Sequence, residues 1–133
     1  GKLRMPTGRI YNFNSTVRRG DVEWPRTKIL NYPVQGLGAD LMCLARVSFF
    51  RRFKAAGIPG VLISTIHDSI VVDVPKEYVN QVCQLFIDVF NDIPMNFERT
   101  FGVPFTLPTG CEVSYGPNKL DLTEWKNSGT IVL

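Results

Sequence analysis

The stretch from Leu62 to Pro75, "LISTIHDSIVVDVP", decides how the rest of the chain is read. Val61 to Ile66 and Ile70 to Val74 are short runs rich in β-branched residues, and "HDS" interrupts them. Two such runs with a tight break between them predict a β-hairpin. Nearly every flanking position is apolar, so both faces of the hairpin are expected to be covered. The single histidine of the chain, His67, stands in the break beside Asp68 and Ser69. Ladders on both sides of a tight turn fix its backbone, so its side chains project with little freedom.

Asp68 has two readings. In one it closes an Asx turn by bonding its own backbone. In the other it serves a hard cation such as Mg²⁺, which takes one or two carboxylates together with phosphate oxygens and water. A serine nucleophile activated by His67 is excluded, because adjacent residues of an extended chain point to opposite faces. Asp73 is the nearest other carboxylate. In a regular strand it faces away from Asp68, roughly 16 Å distant at ~3.3 Å per residue. A two-metal centre needs bridging carboxylates around ions ~3.5–4 Å apart, so a partner for Asp68 must come from elsewhere. Glu112 is the candidate within this chain.

The segments on either side of the hairpin have helical periodicity. Upstream lies "NYPVQGLGADLMCLARVSFFRRFKAAGIP", residues 31 to 59. Leu37, Leu41, Leu44, Ala45, Val47 and Phe50 to Phe53 recur at helical spacing, with Pro33 suited to the first turn. Arg51, Arg52 and Lys54 suit the negative end of the dipole, and Gly57 is a natural terminator. Gly36 and Gly38 are costly within a helix and mark a close approach by another group. Downstream, Lys76 to Ile93 repeats Val79, Val82, Cys83, Phe86, Val89, Phe90 and Ile93 on one face.

Towards the ends of the chain the pattern is more broken. Pro6-Thr7-Gly8 predicts a turn before a short strand, Arg9 to Phe13, and "NSTVRRGDVEWP" reads as a loop. Pro25 opens a short helix reaching about Leu30. Val103 to Leu107 and Cys111 to Tyr115 read as extended segments, and residues 126 to 133 as a tail. The resulting fold class is α+β: a mostly antiparallel sheet with two long helices packed on one face.

Composition sets the outer limits. At 133 residues with 44% hydrophobic content, the chain can build one compact core. It is read as a single partial domain, residues 1–133. The chain opens on Gly1, which makes it a candidate piece of a longer protein. No apolar run reaches the ~18 residues of a membrane span, and no apolar leader-like stretch opens the chain. Cys43, Cys83 and Cys111 are too widely spaced for a metal-ligand pattern and read as buried free thiols in a reducing compartment. Charge is uneven. Residues 1–28 carry seven cations and two anions, whereas the remainder is slightly acidic. A basic arm on such a body is suited to a polyanion, although a merely solvated arm has the same composition.

Taken together, "NYPVQGLGADLMCLA" and "STIHDSIVVDVPKEYVNQV" resemble the C-terminal palm of family-A DNA polymerases, the group of bacterial DNA polymerase I and many phage replicases. Asn31, Pro33, Gln35, Gly36, Asp40, His67, Asp68, Asp73 and Pro75 fall in the family's order. Thr7, Gly8 and Arg9 resemble its Thr-x-x-Gly-Arg segment in compressed form. The likeness runs over roughly residues 3 to 118.

The resemblance implies that Asp68, in motif C, is one of two catalytic aspartates binding Mg²⁺. His67 would contact the primer strand near its 3′ end. Asn31 and Gln35 would touch the minor groove, and Arg9 would lie near the DNA backbone. The implied partners are primer–template DNA, deoxynucleoside triphosphates and the remainder of the polymerase. The implied setting is the cytoplasm of a bacterial or phage-infected cell. Ser69 stands where the cellular enzymes carry Glu, which fits a phage-type member. Lys119 follows "YGPN" where many members have Trp. No motif A strand and no fingers helix occurs in the chain, so it is expected to be inactive alone and, with sheet edges open, to self-associate. The alternative from a different class is a non-catalytic nucleic-acid-binding or assembly module that keeps the palm fold.

Overall fold

The computed structural model describes residues 1–126. The expected tail at residues 126–133 lies outside the described residues except for Lys126. Among the described residues the fold is α+β, with four two-stranded antiparallel ribbons and three α-helices.

The first ribbon pairs β1 (Lys2–Arg4) with β2 (Ile10–Asn12). Gly8 turns the chain between them at φ 86°, a conformation that costs glycine little. The second ribbon, β3 (Thr16–Arg18) with β4 (Asp21–Glu23), occupies a segment expected to be a loop. Its turn residues Arg19 and Gly20 both have positive φ, at 53° and 88°. That is the sign pattern of the hairpin turn whose twist matches the flanking strands. Alternation was hidden because the pattern spans only three residues a side and every one of them is exposed.

Helix α1 runs unbroken from Arg26 to Ala55. A short helix from Pro25 followed by a separate one from Pro33 was expected, so the structure corrects that boundary. Pro33 lacks only its own N–H, and no other breaker lies between residues 26 and 33. Tyr32 beside it is held by Phe13, with ring centroids 6.3 Å apart. Tertiary packing thus overrides the local preference against helix before proline. Gly57, at φ 65°, ends the helix as expected, and its N–H donates to the Lys54 carbonyl.

The hairpin of the opening stretch is present as β5 (Val61–Ile66) and β6 (Ser69–Asp73). A register shift between Leu62 and Ser64 marks a bulge near Ile63. Only one face of the hairpin is covered. Leu62, Ile70, Val72 and Val74 pack on the core, whereas Val61 and Ile63 are each 59% exposed. The expectation of two covered faces therefore fails: a two-stranded ribbon on one helical layer has only one side to bury.

The second predicted helix is split. Lys76–Tyr78 is a 3-10 turn, and α2 follows from Val79 to Asn91. A third helix, α3, spans Ile93–Phe101 and was not foreseen. Its signals were Pro94 at the first turn and Gly102 at the end, the latter at φ 69°. Val103 to Leu107 forms no strand, and among the described residues only β7 (Ser114–Tyr115) and β8 (Thr123–Glu124) pair near the C-terminal end. The expected sheet is instead a set of separate ribbons.

One core joins these parts. Ala45, Phe49 and Phe53 of α1 meet Val82, Phe86 and Val89 of α2, with Ile93 of α3 and Val113 beside them. Phe49 and Phe86 stack with centroids 4.2 Å apart and planes 12° from parallel. Val47 and Phe50 point outward, because the buried stripe of α1 follows positions 45, 49 and 53. The carboxylate of Asp92 accepts from the Arg52 guanidinium at 2.7 Å, tying the α2–α3 corner to α1. Among the described residues no helix is long and apolar enough to cross a membrane.

Candidate functional site

Ile66 pairs with Ser69, which leaves His67 and Asp68 as a two-residue turn. His67 takes φ 51°, in the left-handed region that histidine enters more readily than most residues. The Ser69 hydroxyl donates to the Ile66 carbonyl at 2.9 Å and closes the turn. Asp68 does not make the Asx-turn bond among the described hydrogen bonds, and its carboxylate is exposed at the apex. It therefore carries little desolvation cost.

The second group of expected residues lies on helix α1. Asn31 and Gln35 are exposed and four apart, hence on one face. Continuing that stripe at helical spacing reaches Gly38 and Met42, about 16 Å beyond Asn31 at 1.5 Å per residue. Gly38 and Met42 line a cleft of about 620 Å³ together with Asp68, Phe90, Cys111 and Glu112. Thus the stripe with the two amides leads into the cleft holding Asp68. Arg46 donates to the Thr65 hydroxyl at 3.2 Å, fastening α1 to β5 near the turn.

Arg9 is not free. Its guanidinium donates through Nη2 to Asp40 Oδ1 at 2.5 Å and through Nε to Oδ2 at 3.3 Å. Thr7 donates its hydroxyl to the same Oδ2 at 2.8 Å. The hydrogen bond from Arg9 holds the Asp40 carboxyl below the usual carboxylate range, against the opposing effect of burial. One turn earlier on α1, a β-carbon at Gly36 would overlap the Tyr11 hydroxyl. The close approach expected at the glycines therefore occurs at Gly36, with Tyr11 as the occupant. Gly38 has open space around it. The role of Asp40 was not legible from spacing, since its partner lies 31 residues away.

The other cations of the basic arm, Lys2, Arg4, Arg18, Arg19, Arg26 and Lys28, are exposed and make no ion pair among the described residues. Of the thiols, Cys83 is buried as expected, whereas Cys111 is half-buried and Cys43 is exposed. Cys43 lies on α1 two positions before the buried Ala45.

The chain offers a divalent metal only part of a site. Among the described residues no three or more His, Cys, Asp or Glu side chains converge as a metal cage. Asp68 is an exposed carboxylate with its lone pairs available, and Glu112 lines the same cleft. A single carboxylate suits Mg²⁺ only where other oxygens complete the shell.

The sequence profile of DNA polymerase family A matches residues 5–121. DNA polymerase I of Thermus aquaticus is 34% identical over 94 residues, 71% of this chain and 10% of the relative. DNA polymerase I of Aquifex aeolicus is 41% identical over 56 residues, 42% of this chain and 10% of the relative. DNA polymerase I of Geobacillus stearothermophilus is 24% identical over 115 residues, covering 86% of this chain and 11% of the relative. No solved structure matches. The chain thus spans about a tenth of the length of these curated relatives. A profile match over residues 5–121, nearly the whole chain, establishes that the chain belongs to DNA polymerase family A.

Proposed function

We propose that the chain is the C-terminal palm portion of a DNA-directed DNA polymerase, with a role in template-dependent nucleotidyl transfer. The observation that carries this reading is Asp68, exposed at the β5–β6 turn and lining a cleft with Gly38 and Met42, which continue the helical stripe of Asn31 and Gln35. Minor-groove acceptors are common to all base pairs, so amide donors on that stripe can check pair geometry without reading sequence. His67, at the apex beside Asp68, is proposed to meet the primer end. Exposed cations of residues 1–28 contribute sequence-blind, salt-dependent attraction to phosphates. Primer–template DNA and deoxynucleoside triphosphates are the proposed partners, in the reducing cytoplasm of a bacterial or phage-infected cell.

Phosphoryl transfer relies on positioning and charge stabilisation rather than on covalent chemistry. Asp68 is the residue of this chain proposed to hold Mg²⁺, the ion that would supply charge neutralisation at the reacting phosphate. The second catalytic carboxylate and the fingers are assigned to the rest of the polymerase, so the chain alone is proposed to be inactive. The exposed Val61, Ile63 and Ile66 favour self-association when that remainder is absent.

Asp68→Ala in the complete polymerase is expected to abolish primer extension while duplex binding persists. Near-normal extension would refute the assignment of Asp68. The isolated chain is expected to incorporate no nucleotide with Mg²⁺, and robust incorporation would point to Glu112 as the missing carboxylate.

A second reading, a non-catalytic nucleic-acid-binding or assembly module, draws on Ser69. Its hydroxyl is spent on the Ile66 carbonyl, which leaves the turn with one carboxylate. This reading predicts salt-dependent duplex binding that is indifferent to Mg²⁺.

A further inference from the structure

We propose that Asp40 is a positioning residue: through Arg9 and Thr7 it holds the amide-bearing stripe of α1 in the orientation that meets duplex DNA. This rests on the DNA reading above. The Asp40 side chain is 14% exposed and accepts three hydrogen bonds, two from Arg9 and one from Thr7. Both donors flank the turn at Gly8, so a rigid element is fastened rather than a loose tail. Tyr11 of the same ribbon seats its hydroxyl against Gly36, which follows Gln35 directly, and Arg9 Cδ lies at that notch as well. Phe13 at the ribbon's end packs on Tyr32, next to Asn31. The ribbon therefore grips α1 at positions 32, 36 and 40, a stripe adjacent to the one carrying Asn31 and Gln35. It braces the helix across Pro33, where one backbone hydrogen bond is missing.

In this arrangement Arg9 acts through Asp40 and not on a phosphate. Its guanidinium is already shared between both oxygens of one carboxylate, a bidentate geometry of the strong kind.

The test uses the chain itself and a hairpin duplex with a recessed 3′ end, with anisotropy measured over a series of NaCl concentrations. Asp40→Asn and Arg9→Gln are expected to weaken binding by a similar factor, about 3- to 10-fold, and the double variant no further. The slope of log Kd against log salt is expected to stay at the wild-type value, because no phosphate contact is lost. The exchanged pair Arg9→Asp with Asp40→Arg is expected to recover most of the affinity. Thr7→Val, which leaves both groups of the ion pair in place, is expected to show a smaller loss in the same direction. Tighter binding by Asp40→Asn, with a slope reduced by about one in Arg9→Gln, would overturn the proposal and make Arg9 a phosphate ligand. Failure of the unsubstituted chain to bind duplex would count against the DNA reading itself. Amide hydrogen exchange needs no DNA and decides the brace in that case. Faster exchange over residues 29–36 in Asp40→Asn supports it, and unchanged protection overturns it.

Discussion

The same substitution at two neighbouring glycines of α1 is expected to have opposite effects. In an exposed helical position, Gly→Ala stabilises by about 1 kcal/mol, since alanine loses less backbone freedom on folding. Gly38 meets that condition, with no atom near the place a β-carbon would take. At Gly36 the new methyl group would overlap the Tyr11 hydroxyl and lie 2.9 Å from its ring carbon Cζ. Tyr11 must then leave the notch. It is half-buried and packs against Phe13 at 6.3 Å, so its release forfeits about 1–1.5 kcal/mol of burial, half the value of a fully buried large side chain. Forcing a methyl group into this filled notch also shifts its surroundings, an overpacking cost of about 1 kcal/mol. The helical gain is more than offset, and Gly36→Ala is expected to destabilise by about 1 kcal/mol. The two variants should then differ by about 2 kcal/mol, or about 6–10 °C in Tm for a chain of this size. Thermal unfolding by circular dichroism reads the difference directly. Combining Gly36→Ala with Tyr11→Leu should restore the favourable sign. Equal shifts in the same direction for Gly36→Ala and Gly38→Ala would refute the close approach of Tyr11.

The remaining predictions concern pH and the core. Asp40 has a depressed folded-state value, so its contribution to stability is complete above about pH 5 and is lost as the pH falls below about 4. Urea unfolding at a series of pH values should show this acid loss in the wild type and a flatter profile in Asp40→Asn; equal profiles would refute it. Burial pushes the Cys83 thiol up to about 11. Its protonated form is favoured by folding, so stability should fall as pH rises from about 9 to 11, by at most about 3 kcal/mol, and Cys83→Ala should remove that slope. In native protein a thiol reagent should label Cys43 rapidly and Cys83 only on unfolding; rapid labelling of Cys83 would contradict its burial. Phe49 is fully buried between Phe53 and Phe86, and Phe49→Ala should cost about 3–5 kcal/mol in urea unfolding. Phe50→Ala, one residue along and 47% exposed, should cost far less, and similar losses would refute the facing of α1.

Local chemistry made several elements legible. β-Branched runs broken at His67 and Asp68 specify a hairpin because pairing across a tight turn depends on neighbours in the chain. Gly57 and the apolar period of α2 were readable for the same reason: a positive φ and a buried stripe are short-range demands. The order of Gln35, Gly36, His67 and Asp68 was sufficient to indicate the polymerase family. Other features depended on groups far apart in sequence. α1 continues through Pro33 because Phe13 and Tyr32 pack there, and no local rule predicts that contact. The hairpin looked doubly covered, yet Val61 and Ile63 are open because only one helical layer is available to them. The ion pair of Arg9 was not legible, because the fold brings Asp40 to it across 31 residues. Charge and residue type specify what a side chain can bind, whereas the partner it reaches is set by which distant surfaces the packing of Phe49, Phe86 and their neighbours brings together.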